Sequence, residues 1–220
     1  MNLINKSATP PNFLTYSKSL APQYPLPSKI RDEVIKVLRN EQGNICGYCQ
    51  RSLGKKVHIE HYCEQSICNG TNGKPDLRVN YNNYLLVCDG NQHNANELTC
   101  DKKKANISGK LVLKNKYLPI SVNPWKQAHI DRLSYSIDGS INSTDLLHLE
   151  EMNVVLNLND SNLKKMRKDT WIQIRKLSRK KNGFGLDKAK LASIVCGRIS
   201  DSKNLPPFTG LLNFLLKKYK

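Results

Sequence analysis

Carboxylates are what this chain has too few of. It carries 18 Asp and Glu against 35 Lys and Arg in 220 residues, a formal charge of +17 with a pI of about 9.6. A balance this one-sided is the footprint of a polyanion binder, with nucleic acid as the first candidate. Long apolar runs are missing too. No stretch approaches the roughly 20 residues that a membrane span needs, and the Pro-spaced N-terminus lacks the apolar centre of a secretory signal. The expectation is a cytoplasmic protein with no membrane contact. Internal repeats and long low-complexity segments are also absent, and at this length the chain can bury one good core, or one core plus a small metal-stapled module. Cysteine is not scarce. Seven thiols in a reducing compartment argue for metal ligation over disulfides, with four as ligands and Cys63, Cys68 and Cys196 as ordinary thiols.

The chemistry-bearing residues fall in one run. It begins at Cys46-Gly-Tyr-Cys49, continues through Val57-His-Ile-Glu-His61 and Asn83-Tyr-Leu-Leu-Val-Cys88, and closes on Thr99-Cys-Asp-Lys-Lys103. Four thiols thus bracket a His and carboxylate cluster. Cys46, Cys49, Cys88 and Cys100 are expected to hold a structural Zn²⁺, because that ion favours four soft ligands and a Cys-x-x-Cys bend supplies two at once. Glu60 and Asp101 are hard oxygen donors better matched to Mg²⁺ or Mn²⁺. Phosphodiester hydrolysis needs a metal, a base for water and a brace for that base. His61 is the expected base, and Asn83 the expected brace. If the Val57 to His61 strand were regular, His58 and Glu60 would face one way and His61 the other. A bend at Glu60-His61 is therefore expected.

Around this run, residues 1–27 hold Pro10, Pro11, Pro22, Pro25 and Pro27 and read as an extended, non-helical arm. Residues 28–110 form the metal-bearing module, opened by a helix capped by Ser28, with Ile30, Val34, Val37 and Leu38 on one face. Residues 111–220 begin with strands over 111–122 and 133–141, the second with an Asp138-Gly139 turn, and continue as helices from Asp145. The fold class expected is α+β, with a mainly helical C-terminal region. The helix over 162–181 holds nine cationic side chains and the single acid Asp169. Arg175, Lys176, Arg179 and Lys180, with Lys102, Lys103 and Lys104, are the expected phosphate contacts. Trp125, Trp171 and the 211–216 cluster read as core.

These residues resemble the HNH endonuclease superfamily, whose fold is a ββα unit around one divalent metal, often clipped by Cys-x-x-Cys pairs. The acid-His pair is similar to Glu60-His61, the middle Asn to Asn83 and the last metal ligand to Asp101. The subgroup most like it is the HNH nuclease of retron and Septu antiphage systems, the PtuB-like proteins, through Ile30-Arg-Asp-Glu-Val-Ile35, the Tyr135 to Ile141 segment and Val155-Leu-Asn-Leu-Asn159. The resemblance implies an effector working with an ABC-type ATPase and, in retrons, a reverse transcriptase and its RNA-DNA product. Three positions depart from the pattern. Cys63 stands where many such proteins have Pro, Cys88 and Cys100 are split by eleven residues that include His93, and Asp101 replaces a more usual His. Cys63 and His93 therefore stay open as metal ligands. A non-catalytic zinc-ribbon binding or scaffold subunit is the rival from another class.

Overall fold

The computed structural model describes residues 1–71, 76–92, 94, 97–108, 110–180 and 185–219. His93, and Lys181 at the end of the helix expected over 162–181, lie outside them. The segment expected to be an extended, non-helical arm contains a helix and is part of the wall of the core. Its helix α1 (Pro11–Ser17) starts with proline in the first turn, where the missing N–H would have no partner anyway. Phe13 is buried, its ring 6.1 Å from that of Tyr81 and 5.6 Å from that of Tyr84. Helix α2 (Ser28–Glu41) follows, burying Val34 and Leu38. Ser28 is its first residue rather than its cap, since Pro27 holds the N-cap position and no side chain caps the end.

Strands β1 (His58–His61) and β2 (Tyr84–Val87) pair antiparallel, His58 opposite Val87 and His61 opposite Tyr84. All four residues of β2 are buried, as a strand covered on both faces must be. Gln42 at the end of α2 completes one edge. Its buried amide donates to the Leu86 carbonyl at 2.7 Å and accepts from the Leu86 N–H at 2.8 Å. A short 3-10 turn (Tyr81–Asn83) leads into β2, and helix α3 (Cys100–Ser108) comes after it.

Residues 111–117 are helix α4 (Leu111–Tyr117), not a strand. Leu and Lys dominate that stretch and Val112 is its single β-branched residue, so helix propensity outweighs a short alternation. Beyond α5 (Gln127–Asp131), the hairpin of β3 (Leu133–Tyr135) and β4 (Ile141–Ser143) turns at Asp138-Gly139 as expected. Helices α6 (Leu146–Val154), α7 (Ser161–Leu177) and α8 (Lys188–Arg198) are N-capped by Asp145, Asp160 and Asp187, and α9 (Thr209–Tyr219) closes the fold. Apolar residues from Met1 to Leu215 form one buried cluster, so all three stretches of sequence share a core. The architecture is mixed α and β with two small sheets. No helix among the described residues is long and apolar enough to cross a membrane.

Candidate metal centres and their surroundings

Cys46, Cys49, Cys88 and Cys100 are all buried, and their sulfur atoms lie within 4.8 Å of one another. Three of the separations are 3.8 Å (Cys46 to Cys100), 3.7 Å (Cys49 to Cys88) and 3.9 Å (Cys88 to Cys100). A tetrahedron of thiolates about 2.3 Å from a zinc ion has edges of about 3.8 Å, so the four sulfurs already have the spacing that zinc requires. The first pair sits on a knuckle closed by Cys46 N–H donating to the Arg51 carbonyl at 2.8 Å. The Arg51 guanidinium donates to Cys88 Sγ at 3.3 Å, a charge that favours thiolates. Within the cluster the neighbouring sulfurs hold the Cys49 and Cys88 thiols down, whereas burial pushes Cys46 up and the neighbouring sulfurs push Cys100 up. The site can bind zinc.

Cys63 is not a fifth ligand. It is joined to Cys68 in a disulfide with Cα atoms 6.0 Å apart, which corrects the expectation that both are ordinary thiols.

Helix α3 lies after the hairpin and turns Asp101 and Lys104, one helical step apart, toward the same region as Glu60. Lys104 is 2% exposed. Its ammonium donates to Glu60 Oε1 at 2.7 Å and to the His61 and Tyr62 carbonyls at 2.9 Å each, and forms an ion pair with Glu64 Oε1 at 2.6 Å. Burial opposes the charge on Lys104, but Glu60 and Glu64 more than offset this and raise its pKa. The lysine expected at a phosphate is therefore an interior cation, with no free charge to offer a ligand. Glu60 also accepts a long hydrogen bond, 3.3 Å, from the hydroxyl of Tyr48, a residue of the cysteine knuckle. Asp101 is different. Its Oδ1 is buried with no hydrogen-bond partner among the described residues, and burial together with the nearby charge of Glu60 pushes its carboxyl up to about 7. Asp101 Oδ2 lies 3.8 Å from Lys102 Nζ, so a divalent cation here would take the orphaned Oδ1 and share Glu60 with Lys104.

Strand β1 is regular to its last residue, with exposure alternating along it. The bend expected at Glu60-His61 is not there. His58 and Glu60 share the half-exposed face, whereas His61 lies on the other, 5% exposed, its ring 4.5 Å from that of Tyr24 and 5.0 Å from that of Tyr84. His61 Nε2–H donates to the Arg78 carbonyl at 3.0 Å, which leaves Nδ1 as the acceptor nitrogen of a neutral ring. Burial lowers its pKa in the same direction. Asn83 clasps the turn that follows. Its Oδ1 accepts from Cys63 N–H at 2.8 Å, and its Nδ2 donates to the Cys63 and Leu77 carbonyls at 2.9 and 3.1 Å.

Of the other cationic expectations, Lys102 and Lys103 are half-buried on α3, and Arg175, Lys176, Arg179 and Lys180 are exposed at the end of α7 or just past it. Arg167, one of the nine cationic side chains counted over 162–181, turns inward. It is 2% exposed, donating from Nε to the Gly139 carbonyl and from Nη2 to the Leu158 carbonyl, both at 2.6 Å.

Against known proteins, no family model matches. A Vibrio cholerae (serotype O1, biovar El Tor) protein named as the candidate HNH endonuclease of retron Vc95 is 28% identical over 147 residues. The match takes in 61% of this chain and 63% of that protein. The likeness supports the HNH endonuclease superfamily.

Sequence reasoning missed Tyr48, Glu64 and the interior role of Lys104. The signal for Lys104 was available: it stands three residues after Asp101 and four after Cys100, a spacing that puts all three toward one side of a helix. Tyr48 and Glu64 have no such local signature.

Proposed function

We propose that this chain is a metal-dependent HNH-type endonuclease, an effector of an antiphage defence system of the retron or Septu kind. The observation that carries it is the unpartnered, buried Asp101 Oδ1 on the helix that follows the β1–β2 hairpin, beside four clustered thiols. The Vibrio cholerae relative and the +17 charge support the same reading from independent directions. Zinc on the thiols contributes to folding. Mg²⁺ or Mn²⁺ held by Glu60 and Asp101 would supply Lewis acidity at the scissile phosphate.

The residues of the chain do the rest. Asn83 and Lys104 grip the turn after β1 from two sides, so the carboxylates are held before substrate arrives. His61, the base implied by the HNH resemblance, has its acceptor nitrogen on the face of β1 opposite Glu60, so it takes the proton of the attacking water only once the end of β1 bends. A second assignment is favoured by the strand alternation: His58 shares a face with Glu60, and its Nε2 is buried without a partner among the described residues. A system partner, an ABC-type ATPase or a reverse transcriptase with its RNA-DNA product, belongs to this reading as well.

Cleavage of DNA and RNA substrates with Mg²⁺ or Mn²⁺, by chain co-expressed with its genomic neighbours, tests it. Asp101→Asn and Glu60→Gln should abolish cleavage with zinc content unchanged. His61→Ala should lower the rate by about 10² to 10⁴ and His58→Ala by much less; the reverse order would move the base to His58. Undiminished cleavage by Asp101→Asn would sink the metal assignment.

A further inference from the structure

Among the cationic side chains of α7, Lys165 lines a groove that reaches the loop after Cys88. The groove between α7 and the loop after Cys88 is lined by Asp89, Glu97 and Asp169 as well as Arg51 and Lys165. That balance does not draw in a polyanion.

A second cleft has the opposite character. It lies between α2 and the segment running into β1, has a volume of about 450 Å³, and is lined by Arg31, Arg39, Lys55, Lys56 and His58, with Asp32 as its one carboxylate among the described residues. Asp32 neutralises little, being exposed and 3.8 Å from Arg31. Arg39 is already committed. Its guanidinium donates to Asn44 Oδ1 at 2.5 Å and to the Gly54 carbonyl at 2.6 Å, and so fixes the turn from which Lys55 and Lys56 project. Arg31, Lys55 and Lys56 are exposed and make no such bonds among the described residues, so their charge is offered to solvent. His58 connects the cleft to the carboxylates, as it lines the cleft and shares the exposed face of β1 with Glu60. Arg31 and Glu60 are both close enough to perturb the Tyr24 phenol, which ties the mouth of the cleft to the same neighbourhood.

We propose that this cleft is the binding site for the phosphate backbone of the substrate strand, with Arg31, Lys55 and Lys56 on backbone phosphates and the unpartnered His58 nitrogen on the phosphate nearest Glu60. The inference rests on the nuclease reading above for the meaning of that last contact. The backbone contacts are independent of it, because a phosphodiester chain is recognised by charge whether or not it is cut.

The test is fluorescence anisotropy of the full chain with labelled DNA and RNA oligonucleotides, single-stranded and duplex, at several salt concentrations. The variant Arg31→Gln/Lys55→Gln/Lys56→Gln is compared with Lys188→Gln/Lys190→Gln on α8, two exposed lysines away from the cleft. The triple variant should bind at least tenfold more weakly. Its slope of log affinity against log salt should be flatter by roughly 0.9 per lost contact on duplex DNA and 0.7 on single strands. The control should match wild type. Circular dichroism and zinc content verify that both variants are folded. In cleavage assays the triple variant should raise KM and leave kcat near wild type. Binding that weakens as described while no metal supports cleavage would keep the cleft and remove the nuclease. Unchanged affinity and slope in the folded triple variant, on DNA and RNA alike, would overturn the cleft.

Discussion

Lys104 shows how much a single buried charge organises here. It holds two carboxylates and two backbone carbonyls with one ammonium, so removing it leaves Glu60 and Glu64 close together without a counter-ion. Lys104→Met should therefore destabilise the fold by about 3 to 5 kcal/mol, read by urea unfolding. A loss under about 0.5 kcal/mol would mean that water, not lysine, neutralises these acids. The sequence singled out Asn83 by its motif, whereas the helical spacing that marks Lys104 is masked by the basic run around it. Asn80 and Asn83 flank one short turn, and Asn80 spends its side chain on the local Asn82 N–H at 2.9 Å, leaving Asn83 for the distant Cys63. A motif marks such a residue. A lysine in a basic run looks like its neighbours until burial separates it. Asn83→Asp keeps the acceptor but loses the donor to two carbonyls, and should cost about 1 to 3 kcal/mol for each carbonyl left bare.

At the scale of elements, α7 separates into two functions by face. Arg167 and Trp171 point inward, while Lys165, Lys168, Arg175 and Lys176 point out. The helix was legible from its periodicity, but the inward arginine was not, because its partners are backbone carbonyls, Gly139 in the β3–β4 turn and Leu158 before α7, that no sequence pattern marks. That turn fits against α7 with no room to spare. Gly139 has φ +88°, and a Cβ there would lie 1.9 Å from the Lys164 carbonyl oxygen. Gly139→Ala should cost well over 1 kcal/mol in thermal unfolding, since both the backbone conformation and the contact forbid it. Arg167→Met should also destabilise, by about 1.5 to 3 kcal/mol for each charged hydrogen bond lost. If Arg167→Met instead unfolded like wild type and flattened the salt dependence of nucleic-acid binding, the inward assignment would be wrong. The misread strand at α4 has a related cause. Its alternation spans too few residues to separate a period of 2 from one of 3.6.

For the molecule as a whole, the thiol site was legible because ligand spacing is a local property, whereas the way the N-terminal segment closes the core was not. Zinc should be found at one ion per chain, and Cys46→Ser or Cys100→Ser should lose it together with thermal stability, while Cys63→Ser keeps it. Zinc retained by Cys46→Ser but lost from Cys63→Ser would show that another ligand set is in use. Tyr48 gives this a further consequence. It stands between two zinc-ligand candidates in the knuckle, and its hydroxyl reaches Glu60. Occupancy of the soft site and of the hard one should therefore be thermodynamically linked, and linkage is reciprocal: whatever factor zinc adds to Mn²⁺ affinity, Mn²⁺ must return to zinc. Replacing the phenol, as in Tyr48→Phe, should make the two ions bind independently, and competitive titration of each ion in the presence and absence of the other would measure that loss of cooperativity.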